Sequence, residues 1–329
     1  MQTEYMLSVV VPVYNELEVL PEFHARITRV LDGLAIDSEI IYVNDGSLDD
    51  SLGLLNKFRE QDLRVAIVDL SRNFGKEIAM TAGLHKAEGD AVVVIDADLQ
   101  DPPELIPQLI DEWQKGYDVI YAKRARREGE STFKKLTAHL FYRLMRSIGQ
   151  IKIPEDTGDY RLLSRRAVDA LNTLGERHRF MKGLFTWIGY RQKAVMYERD
   201  PRYAGESKWN YWHLWNFAIE GITSYSSAPL KLASYLGLLT ALGAFSYGIF
   251  IVIRTLLYGD PVHGYPSMIV IILFLGGVQL MSIGVLGEYV GRIFSETKRR
   301  PLYFINNFSQ PRARSSQTAE QEEKSDTAG

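Results

Sequence analysis

Ala91-Val92-Val93-Val94-Ile95 runs without a polar side chain into Asp96-Ala97-Asp98-Leu99-Gln100-Asp101-Pro102-Pro103. A short β-branched run of this kind reads as a strand covered on both faces, because a strand with one wet face alternates polar and apolar residues. Acids follow at its carboxyl end, and a helical pattern runs from Pro103 to Lys115. Outward from this stretch the same unit recurs. Leu7–Val13, Ser38–Asn44, Val65–Leu70 and Val119–Ala122 read as further strands, with helical patterns at Val19–Leu31, Ser51–Glu60 and Glu77–Lys86 between them. Such alternation predicts an α/β fold with a doubly wound, mostly parallel sheet. Ligands of these sheets bind beyond the carboxyl ends of the strands, so the residues just after each strand are the ones to read.

Those residues are Tyr14-Asn15-Glu16, Asp45-Gly46-Ser47, Ser71-Arg72-Asn73-Phe74-Gly75-Lys76, and the acid-rich stretch after Ile95. Carboxylates and small polar groups collect on one sheet edge. A nucleotide suits such an edge, yet neither G-x-G-x-x-G nor G-x-x-x-x-G-K-[ST] occurs after a strand, which argues against a dinucleotide dehydrogenase and a P-loop NTPase. Asp96 and Asp98 form a D-x-D that offers hard oxygen ligands to Mg²⁺ or Mn²⁺, an ion that in turn supports charge on a departing diphosphate. Turn formation and helix capping are the competing roles for these aspartates, as capping is for Glu16 and Asp45. Arg72 and Lys76 read as weaker candidates, able to serve as solvated loop charges.

The chain has 329 residues with 38 Lys+Arg against 41 Asp+Glu, a formal charge of -3, which excludes a generally basic nucleic-acid-binding surface. It has no cysteine, hence no disulfide framework and no thiolate chemistry. Near the C-terminus, Leu232 to Ile253 is an uncharged run of 22 residues and Ser267 to Gly287 another of 21. At helical rise the first reaches roughly 33 Å, enough to cross a bilayer. The pair predicts a transmembrane hairpin, with helices over 232–257 and 267–291 and the alternative of two buried core helices. Lys231, Arg292, Lys298, Arg299 and Arg300 flank its outer ends while the connection holds only Arg254, so both termini are expected in the cytoplasm. Residues 1–208 form the expected cytoplasmic domain with no signal peptide, and 209–231 an interfacial segment, where Trp209 to Phe217 carries aromatic rings at headgroup density. Gly277, Gly284, Gly287 and Gly291 make a small-residue stripe that suits close helix approach, within the hairpin or in a homo-oligomer. The tail, 292–329, is expected to be disordered from about residue 310.

Five motifs in order, VVPVYNE (Val10 to Glu16), VNDGSLDDS (Val43 to Ser51), LSRNFGKE (Leu70 to Glu77), IDADLQDPPEL (Ile95 to Leu105) and DTGDYRLLSR (Asp156 to Arg165), resemble the family 2 glycosyltransferases of the GT-A, Rossmann-like fold. With the two C-terminal spans the resemblance extends over about residues 5 to 300 and narrows to the polyprenyl-phosphate glycosyltransferases, the bacterial enzymes that glucosylate undecaprenyl phosphate above all. It implies that Pro12, Tyr14, Glu16 and Asp45 line the nucleoside pocket, and that Asp96 and Asp98 frame the diphosphate and its Mg²⁺ or Mn²⁺, with Gln100 beside them. Asp98, Asp156 and Asp159 are the implied catalytic carboxylates. The acceptor is then a phosphate monoester, already anionic, so Asp156 and Asp159 read as positioning groups or as supports of positive charge at the anomeric carbon more than as bases. Arg202, Ser207 and Lys208, in a loop ending G-x-S-K, are expected to contact phosphate, as is Arg124 from the basic run after Val119–Ala122.

The expected reaction is a single in-line displacement with inversion, from UDP-glucose by resemblance, with GDP-mannose or another UDP-sugar as the alternative. Expected partners are the nucleotide sugar, the polyprenyl phosphate and membrane lipids, with a homo-oligomer and no nucleic acid. A D-x-D-dependent phosphatase would place its nucleophilic aspartate on the first strand. A non-catalytic membrane scaffold would use its aspartates only as caps, and a processive synthase would carry a Q-x-x-R-W motif that this sequence lacks.

Overall fold

The computed structural model describes residues 5–34, 36–124, 157–177, 179–197, 228–258 and 264–312. Eight strands form one sheet: β1 Met6–Val13, β2 Asp37–Asn44, β3 Val65–Leu70, β4 Ala91–Val94, β5 Val119–Arg124, β6 Thr157–Ser164, β7 Gln192–Tyr197 and β8 Ile305–Ser309. Their spatial order is β7-β5-β6-β4-β1-β2-β3-β8. β4, β1, β2 and β3 are mutually parallel, β5 and β7 share their direction, and β6 and β8 run against the rest. The five strands expected from apolar runs are therefore all present. The two antiparallel members make the sheet mixed.

The pleat sorts side chains to two cores. Leu7, Val9, Val11 and Val13 of β1 pack on one face with Leu20, Phe23, Ile27 and Leu31 of helix α1 (Leu20–Leu34) and Leu55 and Phe58 of α2 (Ser51–Gln61). Val10, of opposite parity, joins the other face with Ala79, Met80, Ala82 and Leu84 of α3 (Lys76–Lys86). Pro103–Leu105 forms a short 3₁₀ turn before α4 (Ile106–Gln114), where the sequence reads as one helix. α5 (Arg165–Thr173) and α6 (Met181–Trp187) add to the second face. Helices on both faces give the three-layer arrangement that a parallel sheet requires.

The chain builds outward from β1 to β2 and β3, then returns to place β4 on the other side of β1. This reversal leaves a crevice between the carboxyl ends of β1 and β4. The β1–β4 ladder ends at Val10 and Val94, where the Ile95 N–H donates to the Val10 carbonyl. Pro12, of the same parity as Val10, has no N–H to offer on that side, so the pairing stops and the crevice opens.

Two long helices follow, α7 (Ala228–Tyr258) and α8 (Tyr265–Thr297). Leu230–Phe250 and Val270–Thr297 are long and apolar enough to cross a membrane, with mean hydropathy 1.4 and 2.2. Leu239, Phe245 and Leu280 are each about two-thirds exposed, which excludes the reading as buried core helices and suits contact with lipid. α7 begins inside the segment expected at the interface, 209–231; the rest of that segment, to residue 227, lies outside the described residues. Beyond α8, Arg299 takes a left-handed conformation (φ 47) ahead of Pro301, a helix stop that turns the chain back.

The returning segment becomes β8, antiparallel to β3, and covers what would be an open sheet edge. Asp69 on β3 accepts from Asn44 at 2.7 Å and from Asn306 at 2.8 Å. Tyr303, Ile305 and Phe308 pack against the α3 side of the sheet. Glu296, in the last turn of α8, accepts the Arg177 N–H at 2.8 Å. The hairpin is thus tied to the sheet domain at two places.

Two measurements check this account. A Cβ on Gly83 would lie 2.3 Å from Val10 Cγ1 and 3.0 Å from Val43 Cγ2, so Gly83→Ala must push α3 off the sheet. The expected loss is about 1–3 kcal/mol, seen as a fall of several degrees in the unfolding temperature of the detergent-solubilised chain. Asn306→Ala removes one bond to Asp69 and is expected to speed amide exchange over Ile305–Ser309 by about five- to tenfold.

Candidate active site

After β4 the chain keeps its alternation for one more turn of the pleat. Ile95, Ala97 and Leu99 are buried, whereas Asp96, Asp98 and Gln100 are partly exposed at the crevice. Both acids of the D-x-D therefore face outward from the core. Leu99 is held at φ 57, in the left-handed region where a bulky side chain is strained. Its burial offsets that strain, and the Gln100 N–H donates to Asp98 Oδ1 at 3.1 Å across the turn. A buried hydrophobe thus aims the D-x-D.

Opposite lies Asp159, delivered by β6. Val94 pairs with Arg161 in antiparallel register, so two residues further along each strand Asp96 and Asp159 fall side by side. Between them stands Lys76, the first residue of α3, whose Nζ donates to Asp96 Oδ2 at 2.7 Å and to Asp159 Oδ2 at 2.5 Å. Partial withdrawal from water opposes the lysine charge, but Asp159 and Asp96 outweigh it and hold the ammonium well above its ordinary range. Withdrawal from water pushes Asp96 up to about 6 against the pull of Lys76, with the charge of Asp159 adding to the rise. Asp159 feels the same withdrawal, yet Lys76, Lys182 and Arg161 overcome it and hold its carboxyl well below the usual range.

Arg161 and Glu77 complete the surround. Arg161 is buried, lies over the Phe185 ring at 3.7 Å and donates to the Gly158 carbonyl at 2.9 Å, bracing the start of β6 that carries Asp159. Burial lowers its pKa to about 10, opposed by Asp159 and Glu77. Glu77 accepts the Met181 N–H at 3.2 Å, and burial together with Asp159 pushes it up to about 8.

The other end of the crevice is formed by loops that hold one another. The Asn15 N–H donates to Ser47 Oγ (3.1 Å), the Leu48 N–H to Asn15 Oδ1 (2.7 Å) and the Glu16 N–H to Ser51 Oγ (3.1 Å). Tyr14, Glu16 and Pro12 are partly exposed beside this lattice. Asp45 is 2% exposed and accepts the N–H groups of Phe74 and Gly75 at 2.7 and 2.9 Å. Burial raises its pKa against those two bonds. In this structure it anchors the loop that leads to Lys76. Gly46, at φ 64, allows that loop to pass: a Cβ there would lie 2.4 Å from the Arg72 carbonyl carbon and 2.5 Å from the Asn73 nitrogen.

Arg124 ends β5 opposite Tyr197, whose hydroxyl donates to buried Asp101. Its Nε is buried with no partner among the described residues. Asp156, Arg202, Ser207 and Lys208 lie outside the described residues. The structure therefore brings Asp96, Asp98, Gln100 and Asp159 to the crevice, with Pro12, Tyr14 and Glu16 on its β1 side and Asp45 behind the loop to Lys76. Sequence reasoning undervalued Lys76 and assigned nothing to Glu77 or Arg161. A signal for the lysine existed, since it follows a strand at the same edge.

Residues 8–171 match Glycosyl transferase family 2, and residues 228–293 match the GtrB C-terminal hairpin. The chain belongs to that glycosyltransferase family, and within it to the polyprenyl-phosphate glycosyltransferases that join a GT-A sheet domain to this hairpin. Among similar proteins, a bactoprenol glucosyl transferase of Shigella phage SfV is 49% identical, covering 92% of this chain and 99% of its own. An uncharacterized glycosyltransferase of Synechocystis sp. is 52% identical (92% and 95%), and a prophage bactoprenol glucosyl transferase homolog of Escherichia coli K12 is 46% identical (91% and 98%).

Because its Cβ would strike backbone rather than a yielding side chain, Gly46→Ala is expected to displace the 71–75 loop and Lys76 with it. Glycosyl transfer by the folded variant should fall by about tenfold or more in kcat/KM, while the unfolding temperature changes by only a few degrees.

Proposed function

We propose that the protein transfers glucose from UDP-glucose to undecaprenyl phosphate, with inversion, at the cytoplasmic face of the cell membrane. The product is a polyprenyl-phosphate-linked sugar for later glycosylation. The observation that carries this reading is the tie between the two halves of the chain. The apolar helix pair returns through β8 to β3, the strand whose following loop ends at Lys76 and the acidic crevice. Such a tie suits a reaction between a donor dissolved in water and an acceptor held in lipid. Near full-length likeness to bactoprenol glucosyl transferases, hairpin included, supports the same acceptor and sugar.

The chemistry follows from the charges. A phosphate oxygen of the lipid forms the new bond at the anomeric carbon while the bond to the nucleoside diphosphate breaks, and its electron pair leaves with the diphosphate. The acceptor is already an anion, so no strong base is required. Asp159, held ionised by Lys76, is a poor proton acceptor and a good support for positive charge developing at the sugar. Asp156 is proposed for a similar positioning role. Asp96 and Asp98 present hard oxygens on the crevice side, and Asp159 Oδ1 is buried without a donor among the described residues, so the site has anionic oxygen to spare. No group of three such ligands occurs among the described residues, so Asp96 and Asp98 would hold Mg²⁺ or Mn²⁺ as a partial set that needs the diphosphate oxygens to complete it, and the ion would supply charge neutralisation for the departing diphosphate.

Pro12, Tyr14, Glu16 and Gln100 are proposed to hold the nucleotide, with Asp45 acting through the 71–75 loop that it anchors, and Arg124, Arg202, Ser207 and Lys208 the acceptor phosphate. The excess of Lys and Arg at the outer ends of the helix pair supports cytoplasmic termini.

Membranes containing the protein are to be incubated with undecaprenyl phosphate and labelled UDP-glucose, GDP-mannose or UDP-N-acetylglucosamine. Label from UDP-glucose is expected in the lipid phase, β-linked when the product is analysed by NMR. Asp98→Asn should lower transfer by about a hundredfold or more with the protein folded and membrane-bound. Asp159→Asn should lower kcat far more than it raises KM. Absence of labelled lipid with every donor would remove the reading; full activity in Asp98→Asn would remove the metal assignment.

A further inference from the structure

Lys76 stands where two needs conflict. It donates to Asp96 and Asp159 together, at 2.7 and 2.5 Å, and so provides the counter-charge that keeps two carboxylates on adjacent strands close. Yet Asp96 is also the carboxylate that the proposed reading assigns to a divalent cation. An ammonium and a divalent cation compete for one carboxylate oxygen, since each added positive charge repels the other. Meanwhile Asp159 Oδ1 is buried with no hydrogen-bond donor among the described residues, so that carboxylate has unused capacity to hold the lysine alone. Lys76 is also well placed to move. Its side chain is 43% exposed, and it lies at the junction of the 71–75 loop and α3, with Nζ carried on a flexible stem of four methylenes.

We infer that Lys76 is a built-in cation that occupies the acidic site while no donor is bound, and that it gives up Asp96, keeping Asp159, when the cation-bearing nucleotide diphosphate arrives. It is a positioning residue in this role. The consequence is ordered loading: the divalent cation binds weakly by itself and strongly with the nucleotide, whose phosphates supply both extra ligands and a new partner for the displaced ammonium. The inference rests on the metal assignment in the proposed function.

The test is Mn²⁺ binding to the full chain in detergent, followed by electron paramagnetic resonance, with and without UDP-glucose. The wild type is expected to bind Mn²⁺ at least about tenfold more tightly with UDP-glucose than without it. In Lys76→Met, binding of Mn²⁺ alone should tighten by about tenfold or more and the dependence on UDP-glucose should shrink. If Lys76→Met does not fold, Lys76→Gln, an uncharged amide one bond shorter, carries the same expectation; Lys76→Arg, which keeps the charge, should stay within about threefold of wild type. Lys182→Met controls for charge at a distance, since Lys182 acts on Asp159 through space, and should change Mn²⁺ affinity by less than about threefold.

Unchanged or weaker Mn²⁺ binding in the folded Lys76 variants, with normal binding in wild type plus UDP-glucose, overturns the inference and leaves the metal assignment standing. An equal gain in Lys182→Met overturns it too, because any nearby positive charge would then suffice. No Mn²⁺ binding to the wild type with UDP-glucose removes the metal assignment itself, and the inference with it.

Discussion

One ammonium held between two carboxylates organises the acidic edge of this protein. Lys76, Asp96 and Asp159 come from α3, the end of β4 and the start of β6, so the contact forms only when three elements are in register. Each is set by a separate packing requirement. α3 reaches its depth because Gly83 lets it rest on Val10 and Val43, the D-x-D turns outward because Leu99 is buried, and Asp159 is braced by Arg161 against Phe185. Lys76 is 43% exposed and Asp159 12%, so removing the lysine leaves a carboxylate that water reaches only in part, at a cost between those of a buried and an exposed pair. The cluster therefore fastens the start of α3 to the strands that carry Asp96 and Asp159.

The same edge is coupled to the membrane helices by backbone. After α8 the chain turns at Arg299 and lays β8 along β3, and the Ser71 N–H donates to the Phe304 carbonyl at 3.0 Å just where the loop to Lys76 begins. The shared acceptor Asp69 makes this junction polar and directional rather than a simple apolar contact. A hydrophobic anchor joined by a flexible tail would leave the crevice free to tumble. An anchor that contributes a strand restricts its orientation relative to the helix pair.

Much of this was legible in the residues alone. The apolar runs of β1 to β5 announce strands because burial on both faces leaves no room for polar alternation, and the long uncharged stretches announce helices that only lipid can cover. The D-x-D was legible as a site because it follows a strand. β6 escaped notice because Asp159 and Arg161 look like surface charges, and they become tolerable in a central strand only through Lys76, Phe185 and the Gly158 carbonyl. β8, Ile-Asn-Asn-Phe-Ser, escaped because a polar edge strand has no local signature until Asp69 and β3 are beside it.

By itself, then, the sequence determined the strands β1 to β5 with the helices between them, the membrane-length helices and the edge on which acids collect, since periodicity and burial act between near neighbours along the chain. Only the tertiary structure decided which acids meet. Asp96 lies 20 residues from Lys76 and Asp159 lies 83 away, and no local pattern encodes a pairing that depends on antiparallel register between β4 and β6.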